Sequence, residues 1–384
     1  MTKRKTIRRT VIFVLIAVAL VVSVIVFTSQ YTKQQEKVNF SEEFMKYLQQ
    51  TVDTDKDGVI SNEEYERVTV ISLAGNDSLG PKVVTPGMET ALDERADAVS
   101  VTDSFRWNSE WLAYFPNLRV LYLAGCNVKT LDLSRNPLLE EVYCFDNKLT
   151  ELDLSKNTKL KIVHCYRNEI SKITLSQKEA YPDMKFFDCS ENRLRSLDVS
   201  AFPNLEYLCC SDDEIETLDI SGNPQLTELY LEYNSLDSLD CTGNAKLRYL
   251  DCLGNWMSSL SLEGCTELIY VCCEKNSLTE LSLQGAAKLE KLSCSSNELE
   301  VLNLDDAVGL RMLSCSSNKL SGLDVSKLTE LTSLDCSENE LTELDVHNNT
   351  KLEYVCYYGN SIPEIDISNC PELHFLEDGL YIGY

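Results

Sequence analysis

Twelve times between residues 118 and 372 the chain restarts one 21-residue pattern, a period that only a stack of similar coils satisfies. The coils open at Leu118, Leu139, Leu160, Met184, Leu205, Leu226, Leu247, Leu268, Leu289, Leu310, Leu331 and Leu352. One step, from Leu160 to Met184, is 24 residues long because LSQKEAYPD carries three extra. The consensus is L-x-x-L-x-C-x-x-N-x-L-x-x-L-D-L-S-x-N-x-x, and a shortened unit, LHFLEDGLYIGY, follows the last full coil.

Each column has a physical reading. In L-x-x-L-x-C the fourth and sixth positions alternate with polar neighbours, which predicts a short strand with one buried face. The ninth position is Asn in ten coils of twelve, with Cys126 and Asp213 as the departures. A buried Asn offers donors and an acceptor to the backbone of the turn that leaves each strand. The half L-x-x-L-D-L-S-x-N returns along the opposite side. No coil buries its own apolar face, so neighbours must stack.

The sixth column holds Cys144, Cys165, Cys189, Cys210, Cys252, Cys273, Cys294, Cys315 and Cys336, with Leu123, Leu231 and Tyr357 in the other coils. Leucine exchanging with cysteine marks a small apolar slot, where a free thiol packs as a compact hydrophobe. Adjacent strands lie about 4.8 Å apart, but their side chains run parallel and do not face one another. A ladder of reduced, buried thiols is therefore expected in place of a disulfide framework. No C-x-x-C occurs, so nothing supports a zinc or redox site. Cys209, Cys272 and Cys356 fall in the fifth column and are expected to face outward.

The pattern resembles the leucine-rich repeat family, and its cysteine column looks like one branch of the internalins, surface proteins of Gram-positive bacteria. The resemblance implies a curved α/β-type repeat solenoid with a parallel β-sheet on its concave face. It also implies binding of host or cell-surface partners through that sheet. One departure is the lack of an L-P-x-T-G sorting motif after the repeats.

Ahead of the repeats, DTDKDGVISNEE (53–64) fits the twelve-residue EF-hand loop at each required position. Asp53, Asp55 and Asp57 would give carboxylate oxygens to Ca2+, Val59 its carbonyl, Ser61 a hydroxyl or a bound water, and Glu64 both oxygens. Gly58 permits the sharp turn and Ile60 is the apolar anchor. SEEFMKYLQQTV before the loop is amphipathic, and SNEEYERVTVI after it starts on Ser61 as a helix cap. No second loop is visible. A permanently filled structural ion in a helical cap, resembling the internalins' truncated EF-hand, is the expectation. The alternative is an acidic turn that merely caps a helix.

The first nine residues carry five basic side chains, and no charge follows from Thr10 until Lys33. Those 23 positions reach roughly 34 Å as a helix, enough to span a bilayer. A signal anchor with the remaining chain outside the cell follows, or a secreted protein if the segment is a cleaved leader. Without the five basic residues the chain has 30 bases against 61 acids, which repels phosphate backbones and excludes nucleic acid as a partner. The predicted organisation is a basic segment (1–9), transmembrane anchor (10–29), spacer (30–37), EF-hand-like cap (38–75), linker and lead-in half-repeat (76–117), twelve repeats (118–372) and C-terminal cap (373–384). Within the linker, 76–102 reads as a loop or a partial strand insertion. A monomer is expected.

In each strand the third and fifth positions should face the concave side. They gather Tyr122, Tyr143, His164, Phe186, Tyr207, Tyr230, Tyr249 and Tyr270, with Phe145 and Tyr166 at the seventh. Coils nine to eleven offer serines instead, Ser293 and Ser314 in the fifth column and Ser333 in the third. Exposed tyrosines on a surface rimmed by acids suit a protein or glycan ligand. The alternative is that tyrosine simply suits strands. His164, His347 and His374 lie in separate coils, no nucleophile and base fall together, and no enzymatic activity is expected. The sequence thus predicts a membrane-anchored extracellular binding module, with a ligand-free envelope scaffold as the alternative.

Overall fold

The computed structural model describes residues 40–75, 99–101, 107–177 and 180–377. The basic segment, the anchor, the spacer, most of 76–102 and the last seven residues lie outside the described residues. Among the described residues no helix is long and apolar enough to cross a membrane. The chain divides into two units, 1–48 and 49–384. Helix α1 (Glu42–Thr51) begins in the first. Ser41 Oγ accepts from the Phe44 N–H at 3.2 Å, a side-chain cap, and Phe44, Tyr47 and Leu48 form its buried stripe.

In the second unit the loop leads into helix α2 (Asn62–Arg67), with Ser61 at the N-cap as expected. The helix stops at Arg67, earlier than the amphipathic reading of SNEEYERVTVI implied. VISLAG becomes strand β1 (Val70–Gly75), whose β-branched Val70 and Ile71 suit a strand, and buries Ile71 and Leu73. Strand β2 (Val99–Val101) pairs with β1, so part of the linker is a strand insertion. On its other side β1 pairs with β3 (Val120–Ala124), the strand of coil 1. Three-residue strands follow in every later coil, from Glu141–Tyr143 to Tyr354–Cys356, and Phe375–Glu377 closes the series. Together they make one parallel 15-stranded sheet in chain order, apart from β2 at the outer edge. Successive coils pair without slip, as in Tyr230 with Asp251 and Asp251 with Cys272.

The return side differs from the α/β-type expectation. Among the described residues it holds turns and two short strand pairs, Glu151–Asp153 with Lys172–Thr174 and Ser238–Asp240 with Ser259–Ser261. A 21-residue coil leaves too few residues for a helix once the strand and two turns are made. The consensus Asp explains the turns: Asp153 Oδ1 accepts from the Ser155 N–H at 2.8 Å, and Asp219 and Asp324 do the same two residues on.

In the twelve coils the column leucines are buried apart from Leu175, Leu218 and Leu323, which are half-buried, and every cysteine of the sixth column is at or near zero exposure. Burial alone pushes the Cys144 thiol up to about 12, so the sulfurs are poor nucleophiles at neutral pH. Two outward assignments are corrected: Cys272 and Cys356 are buried, and only Cys209 of the three is partly accessible. Cys265 and Cys370 occupy a second slot on the return side, where Asn244 and Asn349 also sit. There Cys265 Sγ donates to the Cys241 carbonyl at 3.1 Å, replacing an amide.

The ninth-column Asn fixes the turn. Asn297 Oδ1 accepts from the Leu278 N–H of the coil before, and Nδ2 donates to the carbonyls of Cys273, Cys294 and Ser295. The residue before it is left-handed in coil after coil, with φ of +57° at Ser296 and +53° at Glu338. That conformation costs about 1 kcal/mol or more per non-glycine residue, and the amide offsets it by satisfying buried carbonyls.

Asp213 breaks this scheme informatively. Its Oδ1 accepts from the Leu194 N–H at 2.8 Å, as the Asn residues do, but Oδ2 is buried without a hydrogen-bond partner. By equivalence Oδ2 faces the carbonyls of Cys189, Cys210 and Ser211, all acceptors. Only a protonated carboxyl can donate there. Burial accordingly pushes its pKa from 3.8 up to about 7, against the lowering by the Leu194 and Asn192 N–H groups and with help from Asp212 and Glu214. Between those two pH values folding takes up a proton, so the cost to stability grows as pH rises and levels off above about 7. Asp213→Asn should therefore raise the unfolding free energy by roughly 2–4 kcal/mol at pH 8 and by less than about 1 at pH 4. Urea unfolding across that range checks it; an equal gain at both ends would refute the protonated assignment.

Candidate functional site

Two groups of side chains stand apart from the repeat's own packing. The first is the acidic loop. Asp53, Asp55 and Asp57 each place a carboxylate oxygen within 4.8 Å of the others. The backbone produces this convergence: Asp53 Oδ1 accepts from the Lys56 N–H at 2.6 Å and Oδ2 from Gly58 at 2.9 Å. Gly58 has φ +84°, the left-handed conformation that the sixth loop position requires. Hard oxygen donors on a tight turn suit a divalent cation such as Ca2+.

Glu64 does not join them. Its Oε2 accepts from the Ser61 N–H and Oγ, and its Oε1 from the Thr54 N–H and Oγ1 at 2.7 and 2.8 Å. These bonds hold its carboxyl well below the usual range, at about 2. The expected ligand set is thus gathered at its first three positions, while the twelfth residue clasps the two ends of the loop. Val59 is exposed and Ser61 is committed to the cap.

The second group lies on the concave sheet, and the ten aromatic positions divide. Tyr122, Tyr143, Phe145 and His164 are buried, at 7, 1, 1 and 6% exposure, which corrects their assignment as contact residues. Their burial follows from one another: Tyr143 stacks on His164 at 5.1 Å, and Phe145 on Tyr166 at 4.6 Å. Val120 and Ile162 complete this cluster. Large rings on adjacent strands cover each other, so a face read as open becomes a second core. His164 Nδ1 lies 3.7 Å from Asp188, and the pair serves the same packing.

From coil 4 onward the surface opens. Phe186, Tyr207, Tyr230, Tyr249 and Tyr270 are half-buried there, as is Tyr166 of coil 3 at the border of the buried cluster. Phe186 and Tyr207 stack at 3.9 Å, and Tyr207 meets Tyr230 at 5.5 Å. Tyr230 donates to Glu228 at 3.1 Å and Tyr270 to Asp251 at 3.0 Å, so both rings are held by carboxylates. A cavity of about 410 Å³ opens among Tyr230, Tyr249, Asp251, Ile269, Tyr270, Glu290 and Lys291. Beside it Glu232 and Glu274 stand two residues past Tyr230 and Cys272, which flank Asp251 in the sheet register. Sequence reasoning missed these acids in the floor, although reading the seventh column beyond coil 3 exposes both.

The two aromatic classes should respond differently. Tyr143→Ala is expected to lower the unfolding free energy by about 3 kcal/mol or more, as for a large core side chain. Tyr249→Ala should cost less than about 1 kcal/mol. Equal losses in denaturant unfolding would contradict the division.

No protein-family model and no curated protein matches this chain. Solved structures do. The functional domain of InlJ from Listeria monocytogenes, which includes a cysteine ladder, is 26% identical, with 82% of this chain and 68% of that one aligned at a TM-score of 0.59. The internalin InlF of L. monocytogenes aligns over 87% of this chain and 94% of its own, at 19% identity and a TM-score of 0.68. A leucine-rich repeat protein of Leptospira interrogans aligns over 71% and 74%, at 21% identity and 0.63. These last two speak to the fold alone. The parallel-strand solenoid of about twelve coils has the leucine-rich repeat fold, and its neighbours include internalins and a cysteine-ladder protein.

Proposed function

We propose that this chain is a recognition module of the cell exterior, held by its N-terminal apolar segment, which captures a protein or glycan on the concave face of coils 4 to 8 and catalyses no reaction. The observation that carries this reading is the half-buried row from Phe186 to Tyr270, interleaved with carboxylates, in a fold whose other columns are spent on packing. Tyrosine presents a large contact area with little conformational entropy to lose, which favours it at recognition surfaces. The cysteine-ladder domain of InlJ among the structural neighbours supports this reading. Capture from cell-surface extracts by the immobilised full chain tests it. Tyr207→Ala with Tyr249→Ala should reduce capture roughly tenfold or more, and capture unaffected by the pair would refute the surface.

We further propose a structural Ca2+ held by Asp53, Asp55 and Asp57, with the Val59 carbonyl, Ser61 and Glu64 completing the set. The ion would neutralise three carboxylates that otherwise repel one another, and Glu64 would exchange its hydrogen bonds for the metal. Calorimetric titration of the full chain in detergent should give one site, lost in Asp53→Ala. With free calcium a hundredfold above Kd, the ion should stabilise this segment by about 2.7 kcal/mol. Identical heats for the two proteins would rule the site out.

A further inference from the structure

Acids on the flanks of the solenoid are neutralised from coil to coil. Glu140 meets Arg119 and Lys161, Glu206 meets Lys185, Glu267 meets Lys288, and Glu330 meets Lys351. In the concave floor the rule lapses. Among the described residues no basic group lies within 4.0 Å of Glu232, Asp251 or Glu274. They accept instead from neutral hydroxyls, Glu232 from Ser211, Asp251 from Tyr270 and Glu274 from Ser293. Burial raises the pKa of Glu232 and of Asp251, and each is raised further by an acid in the next coil. Withdrawing like charges from water without a counter-ion opposes stability, so this group is half of an interaction.

The missing half is an organic cation. A bare metal ion would need these oxygens to converge, but among the described residues the only convergent carboxylates are Asp53, Asp55 and Asp57. What adjoins Asp251 instead is the cavity walled by Tyr230, Tyr249 and Tyr270. Aromatic faces next to a carboxylate attract ammonium and guanidinium groups. Tyr249 already does so, with the Arg248 guanidinium carbon 5.6 Å from its ring centroid. The cavity is lined by two carboxylates, Asp251 and Glu290, against the one ammonium of Lys291, so a single further positive group balances it. The space therefore admits one.

The wider surface favours a protein as the source. The third, fifth and seventh columns of the twelve coils carry seven acids against one lysine, and the whole chain has a net charge of −26. Such a field steers a basic surface toward the sheet and repels an acidic one. Resting on the recognition reading above, we infer that the cavity at Tyr230, Tyr249, Asp251 and Tyr270 receives a single arginine or lysine side chain from a basic segment of a partner protein.

Fluorescence polarisation with the full chain in detergent tests this, using a labelled peptide that alternates arginine with glycine and serine. The same peptide with citrulline, which keeps the shape and loses the charge, is the reference. The arginine peptide should bind and the citrulline peptide should not. Asp251→Asn should weaken binding roughly tenfold. Tyr249→Leu should weaken it roughly three- to tenfold, while Tyr249→Phe keeps the ring and the affinity. Glu267→Gln, on the flank, should change nothing. Thermal melts of each variant establish that it is folded, and Tyr249→Leu carries the test if Asp251→Asn is not. Equal binding of the citrulline peptide would overturn the inference. So would equal weakening by Glu267→Gln, which would indicate diffuse charge attraction, or displacement by tetramethylammonium at peptide-like concentrations. If folded Asp251→Asn still captures the cell-surface partner in full, this inference falls while the recognition surface stands.

Discussion

Ten of the twelve coils of this molecule turn on one carboxamide. The strand ends in a left-handed residue that no ordinary side chain prefers, and the Asn that follows gathers three carbonyls and one N–H from two coils. That bridge keeps neighbouring coils at the same height, and a constant height turns columns of sequence into columns in space. Slip by one residue would send every leucine to the wrong face. The leucine core, the sulfur column and the concave surface are therefore consequences of a polar interaction, although their stability is hydrophobic.

Where the bridge changes, the chain shows what it requires. Cys126 Sγ reaches the carbonyls of Leu73 and Ala124 at 3.5 and 3.4 Å, a weak donor in the place of a strong one. Asp213 can replace Asn only by keeping its proton. Both residues meet the same demand for a donor, so the slot selects hydrogen-bonding capacity and tolerates different chemistry.

Much of the fold was legible because a repeat repeats its evidence: twelve copies of one alternation fix the strand, its register and the buried cysteines. What occurs once was not legible. Strand β1 repeats only the strand half of the pattern, V-x-x-I-x-L over residues 68–73, and stands outside the 21-residue spacing, so Val70 and Ile71 passed for the end of a helix. The burial of Tyr143 and His164 was hidden because column position gives the direction of a side chain but not the size of its neighbours. Tyr122, Phe145, Tyr166 and Phe186 close over them, while the smaller neighbours of Tyr249 and Tyr270 leave a cavity. In the acidic loop the spacing located the three aspartates, but Glu64 has two competing donors in Thr54 and Ser61, which a pattern of identities cannot weigh.

The sulfur column carries a consequence for how such a chain matures. Once the coils have closed, its thiols lie beyond the reach of oxidants and hold their protons tightly. Before closure the same nine groups are free to cross-link at random. The architecture shelters its own chemistry only in the finished state, so a chain emerging into an oxidising compartment is in a race. Each coil that docks removes a cysteine from danger and offers the next coil a template. Local contacts, which zip quickly along a linear stack, decide the outcome.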